Sequence, residues 1–333
     1  MATMKQIADV AGVSQATVSR VINEGPKVGY ATRQRVKDII KELNYRPNAN
    51  ARALATSRSD TVGVVVADLY EPFFAALAHG VDTVARKNGT QILISGGTIG
   101  EEAERKAIDT LLGHRCDAMV VHSKTLENEE LIGLANMVPG FVLLNRFIPE
   151  IAGRCVWLDN RAGGRLMAEY MIRQGHRKFA VVSSGFPIDD PIHRIEGIRD
   201  ALSDANIELP DMNIEHGAPN QEGGEAAIQN LMSKGADFTA VLAYNDAMAS
   251  GAMTMLMDHD IEVPRQVSVI GYDDIILAKY CRPKLTTLRY PIEMMASKAT
   301  ELALQYAQGV TPPVNETFKF QPTVVKRDSV ARI

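Results

Sequence analysis

Along the first 45 residues, apolar side chains recur three and four positions apart, the spacing that lines one face of an α-helix. Ile7, Val10 and Ala11 mark one such face, Val18, Val21 and Ile22 a second, and Val36, Ile39, Ile40 and Leu43 a third. Gly12, between the first two, suits the left-handed conformation of a sharp turn. Thr3, Ser14 and Thr32 stand where each helix would begin and are expected to cap its free amides. The pattern predicts three short helices around one small core. Ala8 lies at a crossing, and Gln15, Thr17, Ser19 and Arg20 remain outside.

Beyond Thr61 the period changes. Short apolar, β-branched runs alternate with helical stretches: Val62–Ala67, Gln91–Ser95, Ala118–Val121, Phe141–Leu144, Cys155–Leu158, Phe179–Ser183, Ala240–Ala243, Val267–Ile270 and Leu285–Leu288. Among the intervening helices are Phe74–Lys87, Glu101–Gly113, Gly163–Gln174 and Glu196–Ala205. Unbroken apolar strands alternating with helices imply parallel sheets covered on both faces. Their number suits two doubly wound halves, so the predicted fold is an all-α helix-turn-helix head on an α/β body of two parallel-sheet subdomains. Ligands of such sheets bind at the carboxyl ends of strands.

Charge sharpens the division. The chain has 36 Lys+Arg and 40 Asp+Glu, a formal net charge of −4. Residues 1–59 hold ten basic and four acidic side chains, +6, which leaves the remainder at −10. A basic head on an acidic body points to a polyanionic partner for the head. No apolar run of about 18 residues occurs, so no membrane partner is expected. The start has no signal-peptide pattern, and the expected location is the cytoplasm. Three scattered cysteines form neither a disulfide framework nor a zinc pair, and no two histidines have metal-ligand spacing. Neither metal nor cofactor is expected.

A second helix exposing short polar groups from its first turn suits the DNA major groove. Thr3, Ser14, Gln15, Ala16, Thr17, Ser19, Arg20 and Asn23 are the candidate DNA contacts of the head. The strings Met-Lys-Gln-Ile-Ala-Asp-Val-Ala-Gly-Val-Ser-Gln-Ala-Thr-Val-Ser-Arg-Val-Ile-Asn and Asn-Tyr-Arg-Pro-Asn-Ala-Asn-Ala-Arg-Ala-Leu-Ala resemble the lactose/galactose repressor (LacI/GalR) family. By that resemblance Gln15, Ala16 and Arg20 read bases. Residues 47–55, which alone read as a linker or a helix too short to stand in water, become a hinge helix that folds on DNA. Leu54 would wedge into the minor groove, with Asn48 and Arg52 against the backbone or groove floor. The resemblance also implies the domain plan: head 1–46, hinge 47–59, one effector subdomain from 60–158 with 290–318, and another from 159–289 with 319–333.

Polar residues follow the body's strands. Asp68, Phe73 and Phe74 come after the first, Asn145 and Arg146 after Phe141–Leu144, Asp190 and Arg194 after Phe179–Ser183, Asn245 after Ala240–Ala243, and Asp273 after Val267–Ile270. Carboxylates, amides and an arginine beside aromatic rings are the equipment of a sugar site, although each Asp or Asn could instead cap a helix. The body resembles the periplasmic sugar-binding fold. By that resemblance Asn145, Asp190, Arg194, Asn245 and Asp273 bind hydroxyls and Phe73 or Phe74 stacks on the ring, while Trp157 is read as a core or inter-domain residue. Adjacent carboxylates at Asp189-Asp190 and Asp273-Asp274 do not span a bond as hydrolysis requires, and Ser95–Gly100 lacks the P-loop Lys-Ser/Thr. No catalytic residue is assigned.

Within the family the texture is closest to galactose repressors. The expectation is a homodimeric repressor on a palindromic double-stranded DNA operator, released by a sugar, D-galactose first. Another sugar or a purine corepressor within the family, or a sugar-binding transport protein outside it, are the alternatives.

Overall fold

The computed structural model describes residues 2–45, 59–97, 99–311 and 318–333. It divides into two compact units, Met1–Asp60 and Thr61–Ile333.

The first unit contains α1 (Met4–Ala11), α2 (Gln15–Ile22) and α3 (Tyr30–Glu42). Thr3 Oγ1 accepts from Gln6 N at 3.3 Å while the Gln6 side chain accepts from Thr3 N, a reciprocal capping box. Ser14 Oγ accepts from Thr17 N at 3.2 Å. Gly12, with φ +63°, ends α1 in the left-handed region, where a side chain would be strained. Ile7, Ala8, Ala11, Val18, Val21, Val36 and Ile39 form the buried core. Three expectations fail. Leu43 is exposed, because α3 ends at Glu42 and Leu43 is its C-cap. Val10 is 62% exposed because the tighter crossing takes Ala8 into the core instead. Thr32 caps nothing, since α3 begins two residues earlier behind Gly29.

The second unit contains β1 (Thr61–Val66), β2 (Gln91–Gly96), β3 (Ala118–His122), β4 (Gly140–Leu144), β5 (Cys155–Leu158), β6 (Phe179–Ser184), β7 (Ile214–Gly217), β8 (Ala240–Ala243), β9 (Ser268–Asp273), β10 (Thr286–Arg289), β11 (Phe318–Phe320) and β12 (Thr323–Val325). They form two six-stranded sheets, ordered β11-β5-β4-β3-β1-β2 and β12-β10-β9-β8-β6-β7. Every pairing is parallel except that of β10 with β12. The two orders are the same pattern repeated, each reversing direction beside its first strand, where a crevice opens at the strand ends.

Burial follows from this architecture. Every residue of β3, β4, β6 and β8 is buried, as expected where helices cover both faces. The unexpected strands are the sheet margins: β7 carries Glu and His, and β11 and β12 have three residues each. β11 lies in the first sheet, so the chain changes sheets after Phe320 rather than after residue 318. No described helix is long and apolar enough to cross a membrane.

Candidate functional site

In the first unit, Thr3, Ser14, Gln15, Ala16, Arg20 and Asn23 are exposed, and Thr17 and Ser19 are half-buried. Ser14 and Thr17 bond each other through their hydroxyls at 3.0 Å, and the Asn23 amide donates to Ser19 Oγ at 3.4 Å. These side chains stiffen α2. Gln15, Ala16 and Arg20 remain as an outward stripe with no side-chain hydrogen-bonding partner among the described residues, the arrangement that leaves groups available to base edges and phosphates. Arg33 donates to Gly25 O at 2.7 Å and fixes the segment leaving α2. Asn48, Arg52 and Leu54 lie outside the described residues.

In the second unit, loops after the parallel strands converge on one cavity of about 100 Å³. Phe73, Phe74, Asn145, Asp190, Arg194, Asn245 and Asp273 all line it. Two expected residues do not. Asp68 is exposed and folds back to accept from Tyr70 N at 2.8 Å. Arg146 points away, donating to Leu126 O at 2.7 Å and Asn128 Oδ1 at 2.8 Å, so it braces the loop after β3.

Arg194 lies on the helix Asp189–Asp204, which crosses the helix Asn160–Arg173 at very short range. A Cβ on Gly164 would stand 2.0 Å from Arg194 O, so only glycine permits the approach. The guanidinium stacks 3.6 Å over the Tyr272 ring and donates to Asn160 Oδ1 at 2.9 Å and to Tyr244 O at 2.5 Å. Burial works against its charge, but Tyr272, Tyr244, Asp273 and Asp190 together hold the proton more firmly than usual.

Asp190 accepts from Lys124 Nζ at 2.7 Å, Asn160 Nδ2 at 3.1 Å and Asn145 Nδ2 at 3.3 Å. Burial opposes this charge too, yet Lys124 and Arg194 keep the carboxyl below its ordinary range. Asn145 is fully engaged, since its oxygen also accepts from Tyr290 OH and its nitrogen faces His122 Nε2 at 3.5 Å. Asn245 caps the helix Asp246–Asp258 through Met248 N at 2.8 Å and donates to Pro219 O at 2.9 Å. The amides therefore position the cavity walls.

Asp273 differs from them all. Its carboxyl has no hydrogen-bonding partner among the described residues, and burial, with Asp190 and Glu71 adding to it against Arg194, raises its pKa to about 7. Its backbone, φ +106°, and that of Asp274, φ +58°, turn sharply to present it. Asp274 holds that turn by ion pairs to Arg289 and Arg327, and buried Asp246 accepts from Ile275 N at 2.9 Å and Thr287 Oγ1 at 2.5 Å. The two Asp-Asp pairs thus split, one member of each facing the cavity.

Sequence reasoning passed over His122, Lys124, Tyr244, Phe186 and Tyr290, which also line the cavity. Each sits at or just beyond a strand end, so the rule that found Asn145 applied equally to them. His122 packs edge-on to Phe74 at 5.1 Å, and burial, followed by the nearby Lys124 charge, lowers its pKa to about 3, leaving it neutral. Phe73 meets Tyr290 edge-on at 5.1 Å. The cavity therefore has an aromatic side, an arginine, and two carboxyls, Asp273 and Glu71, without a side-chain partner among the described residues. Among the described residues no cluster could hold a metal ion.

Comparison with known proteins agrees in both units. Residues 3–48 match the model of bacterial regulatory proteins of the lacI family, and residues 168–330 that of the periplasmic binding protein-like domain. The HTH-type transcriptional regulator GalR of Escherichia coli (strain K12) is 46% identical over 99% of this chain and 96% of its own length. The regulator GalS of Salmonella typhimurium (strain LT2) is 46% identical over 99% of this chain and 97% of its own. A crystal structure of the lac repressor dimer bound to operator and the anti-inducer ONPF superimposes with a TM-score of 0.88 at 26% identity, covering 99% of each chain. The chain belongs to the lacI family of bacterial regulatory proteins, and it is a helix-turn-helix transcriptional regulator, not an enzyme.

Proposed function

We propose that this regulator represses transcription by binding a palindromic operator as a homodimer, and that D-galactose in the body cavity releases it. The carrying observation is Asp273, a half-buried carboxyl with unused acceptor capacity, facing a cavity that also holds Arg194 and the Phe73, Phe74 and Tyr290 rings. A sugar hydroxyl supplies the missing donor, and the rings suit the apolar face of a pyranose. Lys124 and Arg194 stand among Asp190, Asp273 and Glu71 on the cavity wall, and among the described residues no cationic group is left unpaired there to select an anion. The identity to GalR and GalS supports galactose over other sugars, and the lac repressor dimer on its operator supports the twofold arrangement.

On DNA, Gln15, Ala16 and Arg20 read base edges while Thr3, Ser14, Thr17, Ser19 and Asn23 set the helix and contact the backbone. Asn48, Arg52 and Leu54 belong to the hinge that binds the minor groove. Two heads in a twofold dimer present their second helices about one DNA turn apart. The sugar weakens operator binding only as far as it prefers the DNA-incompetent state.

Calorimetry with galactose, glucose, fucose, ribose and hypoxanthine, followed by operator titration with the tightest ligand, tests this reading. Galactose should bind best and lower operator affinity. Tight hypoxanthine binding without galactose binding, or a ligand that raises operator affinity, would overturn it.

A further inference from the structure

A second cavity, of about 350 Å³, adjoins the first, and Lys124, Asn145 and Asp190 line both. Between the two lies an ion pair. The Lys124 ammonium donates to Asp190 Oδ1 at 2.7 Å and to Asn145 O at 2.5 Å, and the Lys124 and Asp190 side chains are only 6% and 8% exposed. Lys124 follows β3 of the first sheet, whereas Asp190 opens the helix after β6 of the second. The pair is therefore a polar partition reaching from one half of the body to the other.

Its lysine end is held from behind. Glu104, itself buried, accepts from Ser123 Oγ at 2.6 Å, Lys124 N at 3.0 Å, Thr125 N at 3.2 Å and Leu126 N at 3.4 Å. Arg146 braces the same loop through Leu126 O. With the backbone fixed at both ends of Ser123–Leu126, the ammonium has one place to go, and the partition is a built feature.

Beyond the partition the surface changes character. Trp157, expected as a core or inter-domain residue, is half-buried and lies against Phe147 with ring centroids 4.8 Å apart and planes at 35°. Both line the second cavity, with Arg161, His193 and Glu196 on its other sides. Aromatic rings flanked by charged hydrogen-bonding groups are what a further sugar ring or an aromatic aglycone would use. The first cavity alone falls below the roughly 300–1,000 Å³ of pockets for larger ligands, and joined to the second it would reach that range.

We propose that Lys124 sets ligand size, closing off the second cavity as a latent subsite for the second ring of a glycoside and so restricting the regulator to a single sugar ring. The inference rests on the first cavity being the sugar site. Binding of galactose, lactose and p-nitrophenyl β-galactoside to the full chain by calorimetry tests it, in wild type, Lys124→Ser and Lys124→Arg. Wild type should prefer galactose to either glycoside. Lys124→Ser should bind lactose more tightly than wild type does and cut the galactose preference by about tenfold or more, a change of ~1.4 kcal/mol. Lys124→Arg, still able to pair with Asp190, should keep the wild-type preference. Trp157→Ala in the Lys124→Ser background should remove the gain. If Lys124→Ser does not fold, Lys124→Asn, which also shortens the side chain and removes its charge, takes its place.

An unchanged preference in the shortened variant, or wild type binding lactose as well as galactose, overturns the partition. A wild type that binds no monosaccharide overturns the reading beneath it instead.

Discussion

The two units present chemistry in opposite ways. In the head, Gln15, Ala16 and Arg20 stand exposed on one helix and owe their placement to the helical periodicity of the eight-residue α2 and a hydroxyl cap. In the body, Asp190 and Arg194 from one helix and Asp273 from the end of β9, all of the second sheet's half, meet Lys124 and Asn145 from the first. A site on one helix is local and tolerant, because removing one side chain leaves the others in place. A site assembled from loops is coupled, because its groups hold one another, and breaking one pair leaves a buried charge behind.

The largest break in this contrast should come from Arg194→Ala. It removes the guanidinium from Asn160, Tyr244 and Tyr272 together, so ligand affinity should fall at least about 100-fold and the body should lose about 3 kcal/mol of stability in urea unfolding. The isolated fold of the head has no part in that network, and nonspecific DNA binding should persist. Unchanged ligand affinity would mean that Arg194 is a structural clamp only.

Next is Asp273→Asn. Loss of a charge-assisted hydrogen bond should weaken ligand binding by about 10- to 100-fold, or roughly 1.5–3 kcal/mol. Because burial raises this carboxyl to about 7, the ligand-free fold holds a proton that the unfolded chain has lost between about pH 4 and 7. Its contribution to stability therefore falls as pH rises through that window and is level above it. Ligand hydroxyls prefer the ionised form, so affinity should increase from pH 6 to pH 8. Calorimetry at the two values on wild type and Asp273→Asn checks both signs, and equal slopes in the two proteins would count against the assignment.

In the head the effects should be smaller and separable. Arg20→Ala should cost about 1–3 kcal/mol of specific operator binding, measured by titration against operator and scrambled duplexes, with ligand affinity untouched. Ser14→Ala removes a cap and should lower head stability by about 1 kcal/mol in thermal unfolding. If either change altered ligand binding in the absence of DNA, the separation of the two regions would fail.

The same contrast explains what could be read in advance. Helix periodicity found the head's core apart from Val10 and Leu43, because its contacts lie three or four residues apart, and alternation of apolar runs with helices found both sheets. The sheet margins β7, β11 and β12 escaped because a short or polar edge strand has no apolar signature; pairing alone defines it. The strand-end rule located seven of the nine predicted cavity residues on the cavity wall. It failed for Asp68, which satisfies itself locally, and for Arg146, whose long side chain reached a neighbouring loop.

Sequence by itself determined the classes of structure, the division of charge between head and body, and the family. These depend on spacing and composition, which a linear string carries. Only the tertiary structure decided which polar groups are spent on one another and which are left over. Asn145 and Asn245, expected to bind ligand, use their bonds on the protein, while Asp273 keeps its own and Lys124, unmarked by any motif, crosses to Asp190. That allocation follows from distances between residues as far apart as 145 positions in the chain, and a buried polar group takes whichever partner the packing of the two sheets brings within reach.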